Sequence, residues 1–394
     1  MTDDTVFYVA NARLPSRKAH VYQIVQMCHG LTSTGAEVEL VVPKRRMPEG
    51  APNQSPEEYF DVPFDFSYTT LPCIDFITAT GDLPLLCQRL AFYLQALTFA
   101  LTAYWYVHRK RSRSDRILTR SVSFAVLTSI RFGRDVVLEI HHVPSKRVVQ
   151  RAIGAAMNRL RGVVVITEGL ADKWRTVTDA PMLVAPDGVE LDRFRTTPDK
   201  TVARSELGLP DPATIAMYVG SLKTWKGVQT LLRAADSLSD DVLVCVVGGT
   251  ESQREELLDR VGSVPENVRF EGHVKPDLIP KYLAAGDIFV LPNSAHSEKS
   301  QKYTSPLKLF EYMASKRPIV ASDLPSIREI LSDDSAYFFE PDDPDALATA
   351  IREVIADKEG SAGKVERAHE TVQSHTWRAR AMEIIEMFIT RGRR

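Results

Sequence analysis

Short apolar runs alternate along the chain with longer stretches at helical spacing. In the first half the runs are Val6–Ala10, Val38–Val42, Arg116–Thr119, Val136–Ile140, Val163–Thr167 and Met182–Ala185. Several are continuous and β-branched, without the polar alternation of a half-exposed strand. That is how strands covered on both faces of a parallel sheet read. The stretches between them predict crossover helices, so the unit is βαβ and the class α/β. The rhythm restarts after residue 213, with Ile215–Val219, Val242–Val247, Val268–Phe270, Ile288–Leu291, Ile319–Ala321 and Ala336–Phe339. Between the halves, Glu190–Pro212 is polar and proline-bearing. The pattern predicts two Rossmann-like, doubly wound domains at 1–190 and 214–374. A linker at 191–213 joins them, and a helix at 375–394 packs back on the first domain.

One stretch departs from the rhythm. Leu85–Val107 is apolar apart from Gln88, Arg89, Gln95 and threonines. A basic cluster of His108, Arg109, Lys110, Arg111 and Arg113 follows it. Two readings stand. One is a helix lying on a membrane surface with its basic end at anionic headgroups. The other is a core helix of the first sheet with a solvated end. The length approaches a membrane span, yet the segment falls where the rhythm needs a crossover helix.

Composition narrows the classes. With 394 residues the chain is long for one domain and comfortable for two. A hydrophobic fraction of 44% with 25% charged residues belongs to a folded protein. A net charge of -2 argues against bulk nucleic-acid binding. The cysteines at 28, 73, 87 and 245 are far apart, which suggests neither a disulfide framework nor a zinc site. The acidic start Met1–Asp4 does not read as a signal peptide. The expected setting is cytoplasmic.

Four stretches carry candidate chemistry. Tyr218–Gly227 follows a strand and precedes a helix. There Gly220 permits close backbone approach, and Lys226 stands at a helix start that favours an anion. The spacing is neither GxxxxGK[ST] nor GxGxxG. Tyr303–Ala314 offers Ser305 as an N-cap, Pro306 as first helical residue, and free amides that suit a diphosphate. Glu311, two turns in, stands at a distance that suits ribose hydroxyls. Val136–Pro144 ends a buried strand in His141 and His142, which point opposite ways, so at most one lines a ligand crevice. Pro186–Val189 with Leu191–Phe194 reads as a turn at a domain edge.

Together and in this order, the four stretches resemble the retaining GT-B glycosyltransferases of family 4, also called glycosyl transferases group 1. Val137–His141 is similar to the family's histidine strand, and Asp187–Phe194 to its domain-closing motif. Gly220–Gly227 is similar to its phosphate loop, and Pro318–Glu329 to the strand and turn after its donor helix. The resemblance implies two domains facing a cleft, and transfer of a sugar from a UDP- or GDP-linked donor to a glycan or lipid-linked acceptor hydroxyl. It implies no cofactor and no metal. His141 and Lys226 take the catalytic roles. Gly220, Ser221, Lys226, Tyr303, Ser305, Pro306, Leu307, Lys308 and Glu311 bind the donor. The cations of the loop after the first strand, Arg13, Arg17 and Lys18 with Ser16, and Arg120 after the fourth, suit an anionic acceptor. An anionic membrane surface at 85–113 is a further expected partner. Two positions depart from the family pattern: Ser221 replaces an arginine, and Tyr303 stands where the first Glu of Glu-x7-Glu is expected. A nucleotide-sugar epimerase on the same plan, or an inactive donor-binding partner, are the other readings.

Overall fold

The computed structural model describes residues 5–48, 51–77 and 84–388. The start Met1–Asp4 and the part of the 375–394 helix beyond 388 lie outside the described residues. The chain divides into two compact units.

The first unit holds a seven-stranded sheet: β1 (Thr5–Val9), β2 (Glu37–Lys44), β3 (Ser67–Pro72), β4 (Arg116–Thr119), β5 (Val136–Ile140), β6 (Gly162–Val165) and β7 (Met182–Val184). Their order is β3-β2-β1-β4-β5-β6-β7, and every pairing is parallel. The order reverses between β1 and β4, where Tyr8 lies opposite Leu118. β5 and β6 are buried along their whole length, which explains their unbroken apolar sequence. The Trp377–Phe388 helix belongs to this unit. It packs on the Ala19–Thr32 helix, so closely that a side chain at Gly30 would stand 2.6 Å from the Trp377 carbonyl oxygen.

The second unit holds a six-stranded sheet: β8 (Thr214–Val219), β9 (Val242–Val247), β10 (Val268–Gly272), β11 (Ile288–Leu291), β12 (Ile319–Ser322) and β13 (Tyr337–Phe339). The order is β10-β9-β8-β11-β12-β13, again all parallel. Successive residues of β8 face opposite sides. Ile215, Met217 and Val219 enter one core, and Ala216 and Tyr218 the other. Each fully buried aliphatic side chain contributes about 1.5–3 kcal/mol, so both faces need helices over them. Here the order reverses between β8 and β11.

The 191–213 stretch is not an open linker. It folds into the Asp192–Arg195 and Lys200–Leu207 helices, and Ala203 and Leu209 join the second core. Arg204 is fully buried. Its guanidinium donates to the carbonyls of Ala285 and Ala213 and forms an ion pair with Asp287. A polar sequence is core here because one arginine has enough internal acceptors to leave water.

The Leu85–Lys110 helix runs 26 residues, or about 39 Å. The core-helix reading holds for one side of it only. One side is core, with Phe99, Ala100, Ala103 and Val107 fully buried, while the other side carries large apolar side chains that remain exposed.

Candidate functional site

In parallel sheets a ligand crevice forms at the carboxyl ends of strands where the order reverses. In the second unit that point lies beyond β8 and β11. The chain leaving β8 is Gly220-Ser221-Leu222, and the Val219 N–H donates to the Tyr312 hydroxyl at 2.8 Å. Tyr218 donates to the Ser221 carbonyl at 2.7 Å, and the Leu222 N–H to Gln253 Oε1 at 3.2 Å. The loop is therefore pinned at three points. Gly220 has φ +149°, and a Cβ there would stand 3.3 Å from the Lys308 Nζ.

Thr224–Lys226 is a single 3-10 turn, and Gly227 at φ +69° begins the Val228–Ala235 helix. A Cβ on Gly227 would fall 1.6 Å from the Pro292 carbonyl oxygen. The Trp225 carbonyl accepts from the Ser294 N–H at 3.1 Å. The loop after β8 thus rests on the residues that follow β11. One of those is Asn293, fully buried, with neither its Oδ1 nor its Nδ2 hydrogen-bonded. A buried amide left so costs about 1–3 kcal/mol. Such a group marks a place that a ligand or water completes.

Lysines gather around this point. Burial lowers the Lys226 amine to about 7, and the nearby Lys299 and Lys223 push the same way. Its Nζ lies 4.0 Å from the Trp225 ring centroid. Lys308 is buried on the Leu307–Ala314 helix, and its Nζ makes no hydrogen bond. That nitrogen sits 3.5 Å from the Tyr218 ring centroid. Burial pushes its pKa well below the ordinary lysine value, Lys226 adds to that, and Glu311 opposes it. Glu311 is half-buried and raised by burial, while Arg193 and Lys308 pull it back. The cluster is therefore short of negative charge, beside the start of a helix whose first N–H groups lack intrahelical acceptors.

Ser305 does not cap that helix. Pro306 is extended (φ −79°, ψ 118°) and takes the cap position, and Leu307 is the first helical residue. The Ser305 hydroxyl instead accepts from the Asp187 N–H at 3.0 Å, which ties the Asp187-Gly188 turn to the segment entering the Leu307–Ala314 helix. A long-range backbone donor has won over the local capping rule. Tyr303 is nearly buried, and its hydroxyl donates to the Glu298 carboxylate at 2.7 Å. Burial and that bond push the phenol up to about 12. The second unit thus brings Gly220, Ser221, Lys226, Ser305–Lys308 and Glu311 to one end of its sheet. Sequence reasoning missed Asn293, Arg193, Lys299 and Glu298. Only Asn293 had a signal, as the polar residue just after a buried strand.

His141 belongs to the first unit. Its Nε2 lies 2.7 Å from Glu139 Oε1. Glu139 is buried within β5 and also accepts from Tyr8 at 2.8 Å and Arg380 at 2.8 Å. Burial lowers His141 to about 3, with Arg120 adding to the shift and Glu139 opposing it. The ring is neutral, so Nε2–H donates to Glu139 and Nδ1 is an acceptor; the tautomer is assigned from the bond. Although buried, Glu139 is held well below the usual carboxylate range by Arg380, Arg120 and His141. His142 is exposed. The loop after β1 carries Arg13, Ser16, Arg17 and Lys18, and Arg120 follows β4, so all five lie where the first sheet's order reverses. Arg120 donates to the His20 carbonyl and to Gln23. Arg13 is half-buried, and its Nε is without a partner.

Residues 213–357 match the family model described as Glycosyl transferases group 1. The D-inositol 3-phosphate glycosyltransferase of Geodermatophilus obscurus is 34% identical over 192 residues, covering 45% of this chain and 41% of that protein. The chain spans about half the length of the curated relatives it matches. Sucrose-phosphate synthase from Thermosynechococcus elongatus superposes over 98% of both chains, with a TM-score of 0.74 and 19% identity. Anabaena HepE in complex with UDP-glucose superposes over 98% of this chain and 99% of its own, with a TM-score of 0.71 and 16% identity. Two parallel-sheet α/β units with these neighbours give the chain the GT-B fold, and its second unit carries the Glycosyl transferases group 1 match.

Proposed function

We propose that this protein is a glycosyltransferase that moves a sugar from a nucleoside-diphosphate donor to an acceptor hydroxyl. The observation that carries the reading is the pair Lys226 and Lys308, amines that lie over aromatic rings and form no ion pair among the described residues, at the reversal point of the second sheet. Solved neighbours of the same fold are complexes with UDP or UDP-glucose, and relatives are named for inositol-phosphate glycosyl and phosphatidylinositol mannosyl transfer.

In this reading the diphosphate lies against Lys226, Lys308 and the start of the Leu307–Ala314 helix. As the sugar leaves, negative charge grows on the diphosphate. Preplaced cations and amides stabilise that charge without reorganising. These groups meet it without a divalent ion. Glu311 takes the ribose hydroxyls, and the raised pKa of its empty-site carboxyl is relieved by two donors. His141 works as a neutral hydrogen-bond acceptor through Nδ1, its orientation set by Glu139. Departure and attack on one face of the sugar, with retained anomeric configuration, is the mechanism proposed. The donor base is uracil or guanine. The acceptor is a glycan or lipid-linked hydroxyl bound near Arg13, Ser16, Arg17, Lys18 and Arg120.

Titration calorimetry with UDP, GDP and their sugars tests the donor site. Binding is expected for one base, with strong weakening in Lys226→Ala and Glu311→Gln. Unchanged binding in both variants refutes the placement. Transfer of labelled sugar to a lipid or glycan extract, with the product anomer read by NMR, tests the reaction and its stereochemistry.

A further inference from the structure

The outward face of the Leu85–Lys110 helix presents a row of large apolar side chains to solvent. Leu86, Leu90, Tyr93, Leu97, Leu101 and Trp105 recur at three- and four-residue spacing, one face of a helix. Leu86 is 68% exposed, Leu90 60%, Leu97 53% and Trp105 55%. A continuous apolar surface of this kind on a folded protein marks an interaction site.

The face is wider than the helix. The segment before it lies alongside, with the Ile74 N–H donating to Thr98 Oγ1 at 3.1 Å, and Ile74 and Phe76 are exposed. At the other end the Phe132 ring packs, tilted, against Tyr104 and His108, with centroids 5.4 and 5.5 Å apart. Ile130, two residues earlier, is 84% exposed.

Charge selects the occupant. From Pro84 to Ser114 the sequence has no Asp or Glu, while Arg89, Arg109, Lys110, Arg111 and Arg113 are cationic. Lys110 and Arg111 are engaged within the fold, on Glu39 and Asp135. Arg109 lies over the Trp105 ring at 5.9 Å. An apolar strip bordered by arginine and tryptophan, and free of acids, suits the interface of an anionic bilayer. A second copy of the strip would set these cations against each other.

The inner face fixes the orientation. It is packed against the first sheet, and Gln95, fully buried, exchanges amide hydrogen bonds with Asn11 at 3.1 and 3.0 Å. The helix is long and apolar enough to cross a membrane, but crossing would strip this packed side from its partners. We infer that the outward face of the Leu85–Lys110 helix, with Ile74, Phe76 and Ile130, docks this protein in the plane of an anionic lipid bilayer. The inference does not rest on the transfer reaction.

The test is co-sedimentation of the full chain with vesicles of phosphatidylcholine alone or mixed with phosphatidylglycerol. Binding to the anionic vesicles, weakened by salt, is expected. Leu90→Glu/Leu97→Glu should weaken it about tenfold or more. Arg109→Ser/Arg113→Ser should weaken it roughly tenfold. All four positions are on the exposed side, and unchanged thermal unfolding shows the variants folded. A blue shift of tryptophan emission on binding, lost in Trp105→Phe, places the face at the lipid. The inference is overturned by absence of binding, by equal binding to neutral vesicles, or by a dimer in sedimentation velocity that Leu90→Glu/Leu97→Glu converts to monomer.

Discussion

Two polar clusters stand at the carboxyl ends of their sheets and are built on opposite principles. In the first unit Glu139 is surrounded by Tyr8, His141 and Arg380, and the buried charges are paired. In the second unit Lys226 and Lys308 meet aromatic faces rather than carboxylates. Their amines are pushed towards neutrality. A paired cluster is complete and serves to hold a shape. An unpaired one holds free energy that an incoming anion releases. On the proposed reading the second cluster is the binding element and the first is the frame for His141.

The contrast breaks most visibly in stability. Arg380→Met leaves Glu139 as a buried charge short of its main partner and should cost about 3–5 kcal/mol in denaturant unfolding. Lys226→Ala should do the reverse, leaving stability nearly unchanged while weakening nucleoside-diphosphate-sugar binding by about 10–100-fold in calorimetry. Lys308→Met removes an unsatisfied buried amine for an apolar chain of similar shape. It should raise stability by about 1–2 kcal/mol and weaken donor binding together. If it destabilises instead, the amine has a partner in the empty protein and the contrast collapses.

The smallest effect is on pH. Lys226 titrates near 7 when empty, and a bound diphosphate raises that value. Donor affinity is then full below about pH 7 and should fall several-fold as pH rises above it towards the pKa in the complex. The same linkage makes the empty unit gain stability as pH rises from about 7 towards the ordinary lysine value, because the unfolded chain holds the extra proton. His141, lowered to about 3, stays neutral over this range and should add no pH dependence to donor affinity, although its own linkage makes the first unit gain stability as pH rises from about 3 to the ordinary histidine value. Binding isotherms from pH 6 to 9 with a nucleotide-sugar, whose diphosphate does not titrate there, read the affinity, and denaturant unfolding of the empty protein over the same range reads the stability.

The sheets were legible because both faces of β5, β8 and β11 are buried, and that burial demands unbroken apolar sequence. Gly220 and Lys226 were legible as part of a strand-to-helix turn, which the chain forms between β8 and the Val228–Ala235 helix. Lys308 was legible only as a helix-start residue. That its amine is buried against Tyr218 depends on a strand ninety residues away in sequence. Asn293 and Arg193 meet the site through contacts of the same range, which no local pattern encodes. Ser305 misled for the complementary reason. Ser-Pro before an apolar helix is a sound local cap signal, and a distant N–H from Asp187 displaced it. The 191–213 stretch misled because polarity was read as exposure, when Arg204 carries its own acceptors inside.

The Trp377–Phe388 helix has a consequence for how the protein is made. The first unit opens the described chain, yet it lacks this helix until everything through residue 376 has been synthesised. Domains fold as units while the chain emerges. The second unit can therefore close as soon as its own residues are out, and the first must wait with the Ala19–Thr32 surface uncovered. The half that starts first is completed last. That surface, held open through most of translation, is where a chaperone would find this chain.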